Sequence, residues 1–243
     1  MTGHLTWTEL KLLVREPLVL ILSLMFPILL MVLLVTAFRD HTGSVFADLD
    51  GDVFYVTAYL GAAVAVMGFM GTPTHLAGYR ESGVLRRFRA AGVGAPALVV
   101  SQTAVLAVLA VVGAAAMIVL AYAGFNLAAP ASIGGVVAAF AAGVLAFAGI
   151  GTFLGSVMPS ARAAQGLGLL LFLGTFLLVG GGPPPGVLPG VVNDIAAWTP
   201  IGLLIDAIRA PWADGALDGP AMAVLVAIAT VGFALATRRL RRT

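Results

Sequence analysis

The chain has 243 residues, of which 60% are hydrophobic and only 10% are charged, and its formal net charge is +2. In a soluble domain about a quarter of the residues are charged, so this balance excludes an ordinary soluble protein and indicates a polytopic membrane protein. The absence of cysteine excludes disulfides, thiolate nucleophiles and cysteine-ligated metals. The three histidines, His4, His41 and His75, are too scattered to indicate a zinc or haem site.

Six uncharged apolar runs follow one another along the chain, each close to the roughly 20 residues that a membrane-spanning helix needs. We expect a single all-α membrane domain with spans at 17–38, 53–74, 97–123, 132–157, 165–182 and 219–237. Lys11 and Arg15 before the first run resemble the basic start of a signal peptide. The run is too long for such a peptide and no A-x-A-like cleavage site follows it, so we interpret it as a retained span.

The distribution of charge orients these spans, because cytoplasmic segments carry an excess of Lys and Arg. With both termini in the cytoplasm, eleven basic residues lie inside and only Arg39 and Arg209 lie outside, while most acidic residues fall outside. The sequence therefore predicts a multi-pass protein with both termini cytoplasmic. Its arginine-rich, Ala/Gly/Val-rich composition favours a GC-rich bacterial genome and hence a bacterial cytoplasmic membrane.

Four segments are not expected to cross the bilayer. Residues 1–16 favour an amphipathic helix on the cytoplasmic interface, and 39–52 form an acidic external loop. The proline-broken stretch 183–216 is typical of a re-entrant or interfacial hairpin on the outer side, where irregular backbone must be buried in protein or face water. Within it, Asp206 and Arg209 can form either a structural pair near the exit or an external substrate gate. The terminal RRLRR predicts a basic tail with affinity for anionic membrane lipid.

The most informative segment is the basic loop GYRESGVLRRFRAAG at 78–92, between the predicted spans two and three. Ser82 can cap a helix there and the glycines beyond it can end the helix. Val84, Phe88 and Ala91 recur at helical spacing beside arginines, so we expect a short amphipathic helix of about three turns. A loop needed only for topology has no reason to be amphipathic. The pattern therefore predicts docking onto lipid headgroups or onto a protein, and the residues alone leave the two open.

The chain encodes none of the energy sources that a transporter uses. Proton-coupled carriers keep ionisable residues inside the membrane, yet the predicted spans contain no Asp, Glu, Lys, Arg or His. A P-loop needs G-x-x-x-x-G-K-[ST], and the only lysine, Lys11, stands in no such motif. We therefore expect a transporter driven by another chain. Because no charge lies in the spans, the expected cargo is a hydrophobic or amphipathic compound such as a drug, an antibiotic or a lipid.

Catalysis within the membrane finds no support in the sequence. A serine protease would need a histidine in a span, and no span contains one. The glycines of GTFLGS, Gly151 and Gly155, favour close helix packing rather than a nucleophile motif. The chain is therefore expected not to be an enzyme, to hold no cofactor and to have no nucleic-acid partner.

Four stretches, in the right order, resemble the permeases of the ATP-binding-cassette type-2 family. REPLVLILSLMFPILL resembles the first span of that family, and YRESGVLRRFRAAGV resembles the loop between spans two and three. GTFLGSVMPSARAAQGLGLLLFL resembles the junction of spans four and five, and LPGVVNDIAAWTPIGLLIDAIR resembles the external hairpin before span six. The resemblance covers nearly the whole chain and is greatest to the daunorubicin-resistance type of exporter permease. The chain departs from the pattern at Tyr79, where an acid is common, and at AAGVG, which replaces the usual Thr-Pro.

This resemblance implies a membrane-spanning permease subunit of an ATP-driven exporter, in which the basic loop is a coupling helix that docks on a separate ATPase. The family pattern runs like E-R-E-x-G-T-L-x-x-L-x-x-T-P. The candidate ATPase-coupling residues are Arg80, Glu81, Gly83, Leu85, Arg86 and Phe88. It also implies two permease subunits, this chain with a copy or a relative, and two ATPase subunits that bind ATP and Mg. The alternatives are a secondary or facilitative transporter for hydrophobic solutes and a non-catalytic membrane protein that assembles other proteins.

Overall fold

The computed structural model describes residues 6, 7, 9, 11, 17–38, 46, 49–125, 127–179, 181 and 188–242. No strand occurs among these residues, so the predicted all-α class is confirmed for the part of the chain described. The helices are α1 (Pro17–Phe38), α2 (Gly51–Val66), α3 (Thr72–Glu81), α4 (Val84–Ala90), α5 (Ala95–Gly124), α6 (Ile133–Val157), α7 (Ala161–Phe176), α8 (Gly190–Ala197), α9 (Pro200–Ala213) and α10 (Gly219–Arg242). A π-helical turn, Met67–Gly71, joins α2 to α3.

The predicted interfacial helix at 1–16 and the predicted external loop at 39–52 fall largely outside the described residues. Thr6, Trp7, Glu9 and Lys11 are helical, in agreement with the predicted amino-terminal helix at these positions.

Within the described residues, four helical stretches are long and apolar enough to cross a membrane: Gly51–Glu81, Ala95–Gly124, Ile133–Val157 and Gly219–Arg241. Helices α8 and α9 are bent by 85° relative to each other and would count either as one broken span or as a re-entrant loop, so the number of candidate spans is four or five. The 16-residue helix α7 falls short of the same length, and so does Met25–Phe38, the part of the 22-residue helix α1 whose side chains the structure describes. The all-helical membrane architecture is thus confirmed, and the count of six spans stays a prediction.

Helix α6 is the central element, because it packs against α10 most extensively and also against α3, α5, α9 and the π-turn. Glycines make this possible, since small residues let helix backbones approach closely. A Cβ on Gly232 of α10 would lie 2.6 Å from the carbonyl carbon of Gly149 in α6. One on Gly151 would lie 2.5 Å from the Gly68 carbonyl oxygen, and one on Gly155 would lie 2.7 Å from Leu76 Cβ. The close packing predicted for GTFLGS is confirmed.

The π-turn occupies the place where the long helix Gly51–Glu81 crosses α6 and α7. A π-helical turn contains one more residue than an α-helical turn and is therefore wider. Its carbonyl groups face glycines on the two neighbouring helices, α6 and α7. The Gly68 carbonyl faces Gly151 of α6, and the Phe69 carbonyl faces Gly168 of α7. The two glycines therefore provide the space that the wide turn needs, and α3 continues beyond it as part of one 31-residue helix.

Replacing Gly168 by Ala is expected to lower the unfolding temperature of the purified protein. The added methyl group would meet the Phe69 carbonyl of the π-turn, and overpacking of this kind costs about 1–3 kcal/mol. Gly166→Ala is the matched control on the same helix, because no atom lies within 4 Å of its added methyl group. It should leave the unfolding temperature unchanged or raise it, since Ala is favoured over Gly in a helix by about 1 kcal/mol. Equal shifts in the two variants would contradict the close contact.

Candidate functional site at the α4 end of the bundle

Two glycines in the left-handed region set the limits of α4. Gly83 has φ +73° and Gly92 has φ +80°, a conformation that a residue with a Cβ adopts only under strain. The expectation that Ser82 caps this helix is wrong, because Ser82 ends α3, and its hydroxyl donates a hydrogen bond of 2.7 Å to the Gly78 carbonyl. Helix α4 therefore starts at Val84 and has seven residues, about two turns instead of three.

The apolar side of α4 packs against other helices of the same chain. Leu85 is 8% exposed and belongs to a small hydrophobic cluster with Leu76 of α3, Leu98 of α5 and Leu240 of α10. Phe88 packs edge-on against Tyr79 of α3, with ring centroids 5.8 Å apart. Helix α4 is thus anchored to three longer helices.

The other side of α4 faces away from these anchors. Arg86 and Arg87 are both exposed there, together with Ala90. Because the apolar side is covered by other helices of the chain, the exposed surface of α4 is mainly basic.

Arg80 and Glu81, at the end of α3, bind the turn between α6 and α7. The Arg80 guanidinium donates a 2.8 Å hydrogen bond to the carbonyl of Met158, the residue that caps the end of α6. The Glu81 carboxylate accepts a 3.1 Å hydrogen bond from the backbone N–H of Ala161, the first residue of α7. Each charge complements the dipole of the helix end that it meets. Arg80 and Glu81 therefore join the end of α3, just before α4, to the turn between α6 and α7.

The amino-terminal helix meets the same region through a buried carboxyl group. Glu9 is 1% exposed, and it accepts hydrogen bonds from the Ser101 hydroxyl at 2.6 Å and the Gln102 amide at 2.8 Å, both on α5. The Tyr79 hydroxyl is its third partner. Burial raises the pKa of Glu9 above its ordinary value, while the three hydrogen bonds act in the opposite direction.

The sequence predicts an interfacial helix over 1–16 but not the contacts that Glu9 makes inside the protein. The neighbouring polar residues Ser101 and Gln102, near the start of an otherwise apolar span, were the available signal. Both side chains hydrogen-bond to Glu9, which lies far away in the sequence.

At the other end of the bundle, the predicted pair Asp206 and Arg209 is formed, with 3.7 Å between its charged atoms. Arg209 also lies over the Phe54 ring, 4.0 Å from the ring centroid. It donates hydrogen bonds to the Thr57 hydroxyl at 3.2 Å and to the Phe54 carbonyl at 3.3 Å. These contacts tie α9 to α2, so the arginine is held by the protein on several sides.

Within the described part of the chain, no group of three or more His, Asp or Glu side chains is placed to hold a metal ion. At the α4 end of the bundle, polar side chains fasten the end of α3 to the α6–α7 turn and the amino-terminal helix to α5, while apolar contacts fasten α4.

Comparison with known proteins identifies the family of the chain. A family model described as ABC-2 type transporter matches residues 2–211, which is most of the chain and includes the amino-terminal helix, α4, the α6–α7 turn and α9. No curated protein gives a significant match. The chain therefore belongs to the ABC-2 type transporter family and is a multi-pass membrane permease subunit of an ABC transporter, a kind of subunit that works with an ABC ATPase.

Proposed function

We propose that the chain is the permease subunit of an ATP-driven exporter and that α4 is the helix on which its separate ATPase docks. The observation that carries this proposal is that the two sides of α4 have different surroundings. Its apolar side is anchored to α3, α5 and α10, and its basic side faces outward. Because packed interiors transmit strain, a push on the outer side of α4 would move three long helices together.

The six candidate coupling residues then have different roles. Arg86, with Arg87 beside it, supplies the surface that contacts the ATPase. Leu85 and Phe88 anchor the helix to the bundle, and Gly83 separates it from α3 by a turn with positive φ.

Arg80 and Glu81 are proposed to act by position. Their hydrogen bonds to Met158 and Ala161 connect the end of α3, just before α4, to the α6–α7 turn. Movement of α4 would therefore reach α6 and α7 through the end of α3, in addition to the helices that carry its apolar side.

The cargo is proposed to be a hydrophobic or amphipathic compound, such as a drug, an antibiotic or a lipid, as expected for the daunorubicin-resistance type. Large side chains such as Tyr55, Tyr59 and Phe147 are fully buried and fill the interior of the bundle. A passage between two permease subunits, identical or related, is therefore the route that we propose. The direction is outward from the cytoplasm of a bacterial cell, with both termini on the cytoplasmic side.

If the ATPase docks on α4, it should co-purify with the chain, and substitutions on the basic side of α4 should weaken this association. Tagged chain extracted from its native membrane in mild detergent should retain a P-loop ATPase in near-stoichiometric amount. The double variant Arg86→Ala/Arg87→Ala should reduce the retained ATPase by about tenfold or more, because arginines at the centre of an interface carry much of its binding energy.

The control for this purification is Arg238→Ala/Arg241→Ala, which removes the same number of exposed charges from the end of α10. It should leave the retained ATPase nearly unchanged. Loss of the ATPase from both double variants, or from neither, would contradict the assignment to α4. A wild-type chain that retains no ATPase would contradict the motor-driven function as a whole.

The positional role of Glu81 predicts a separation of binding from coupling. Glu81→Ala removes the acceptor for the Ala161 N–H and should lower the amount of cargo moved per ATP hydrolysed in reconstituted vesicles. The ATPase should still co-purify, since the basic face of α4 is intact. Arg162→Ala, an exposed substitution at the start of α7, should change neither quantity. If Glu81→Ala released the ATPase as completely as the α4 double variant, Glu81 would instead be a contact residue.

A further inference from the structure

The most unusual side chain at this end of the protein is the buried carboxyl of Glu9. A glutamate is almost never fully buried unless it is paired, and burying a carboxyl without hydrogen bonds is costly. Three uncharged donors, from Ser101, Gln102 and Tyr79, meet this one. Thr6 lies about one helical turn before Glu9, and its hydroxyl donates a further hydrogen bond of 3.2 Å to the Ser101 hydroxyl.

The amino-terminal helix is turned so that Glu9 faces the protein. Trp7 is 69% exposed, whereas Glu9, two residues further on, is 1% exposed. An interfacial helix held by lipid alone would turn its acidic residue to water. The observed orientation indicates that hydrogen bonds to the protein fix the position of this helix.

The donors to Glu9 belong to the helices that also anchor α4. Ser101 and Gln102 lie on α5, the helix whose first turns contribute Leu98 to the cluster around Leu85. Tyr79 lies on α3, and its ring packs against Phe88 of α4. A single carboxyl therefore connects the amino-terminal helix to two of the three helices that anchor α4.

We propose that Glu9 is a positioning residue that clamps the amino-terminal helix to α3 and α5, so that this helix and α4 move as one unit when the ATPase pushes on α4. The clamp itself rests on the geometry, and only its consequence for transport rests on the proposed function. Loss of the carboxyl would leave Ser101 and Gln102 buried without their acceptor, which disfavours the docked position of the helix.

The absence of cysteine allows a direct test of the clamp. Spin labels on Trp7→Cys and Ala90→Cys, both at exposed positions, report the distance between the amino-terminal helix and α4 in the full chain in lipid nanodiscs. We expect one narrow distance distribution in the parent protein. In Glu9→Ala the ratio of docked to undocked helix should fall by about tenfold or more, as expected for loss of charge-assisted hydrogen bonds, and the distribution should broaden.

Three further variants make the result specific to the Glu9 contacts. Glu9→Gln/Gln102→Glu exchanges a carboxyl and an amide across the same contact and should restore the narrow distribution that Glu9→Gln alone disturbs. Tyr79→Phe removes one hydroxyl donor and should broaden the distribution less than Glu9→Ala, so that the test survives if the alanine variant folds poorly. Lys11→Gln removes an exposed charge from the same helix and should have no effect.

The consequence for transport is measured on the same variants reconstituted with the ATPase. Glu9→Ala should bind the ATPase but move severalfold less cargo per ATP hydrolysed, and the exchanged pair should recover the parent ratio. An unchanged distance distribution in Glu9→Ala would overturn the clamp, and a broadened distribution with unchanged transport would overturn its part in coupling. If the parent chain bound no ATPase, the proposed function alone would fall, and the distance measurement would still decide the clamp.

Discussion

The close passage of the long helix Gly51–Glu81 across α6 is the contact on which the rest of the structure depends. It is possible only because Gly151 and Gly155 offer no side chain where Gly68 and Leu76 approach. Between helices that both lie in lipid, such packing is a main source of association. It fixes the direction of α3 and therefore the place where α4 can lie.

Electrostatic and hydrogen-bond contacts then determine how the pieces at the end of α3 are held. Arg80 and Glu81 meet helix ends whose partial charges are opposite to their own. Glu9 meets three neutral donors in a buried site. The apolar side of α4 adds the packing that polar contacts alone would not supply. The short basic helix α4 is thus attached only to longer helices among its described contacts. Such an arrangement fits the proposed role of α4 in transmitting movement from an ATPase.

The sequence predicted the features that depend on local pattern. Apolar runs gave the helical class, and the spacing of Gly151 and Gly155 predicted close packing. The predicted start of α4 at Ser82 was wrong because a serine can lie at either end of a helix. The positive φ of Gly83 ends α3 at Ser82 and makes α4 begin after the glycine. Contacts between distant residues were beyond reach: Glu9 and Ser101 are 92 positions apart, and Arg209 and Thr57 are 152 apart. The π-turn has no local signal, since the glycines that accommodate it lie on α6 and α7.

The most direct test of the central claim is photo-crosslinking in the native membrane. A photoreactive amino acid at position 87, on the exposed side of α4, should form a crosslink to a P-loop ATPase in intact cells, identified by mass spectrometry. The same amino acid at position 213, exposed at the end of α9, should form none. A crosslink to an ATPase from position 87 alone is the result that this account predicts. Crosslinks from position 87 only to lipid, or to proteins without a P-loop, would contradict it.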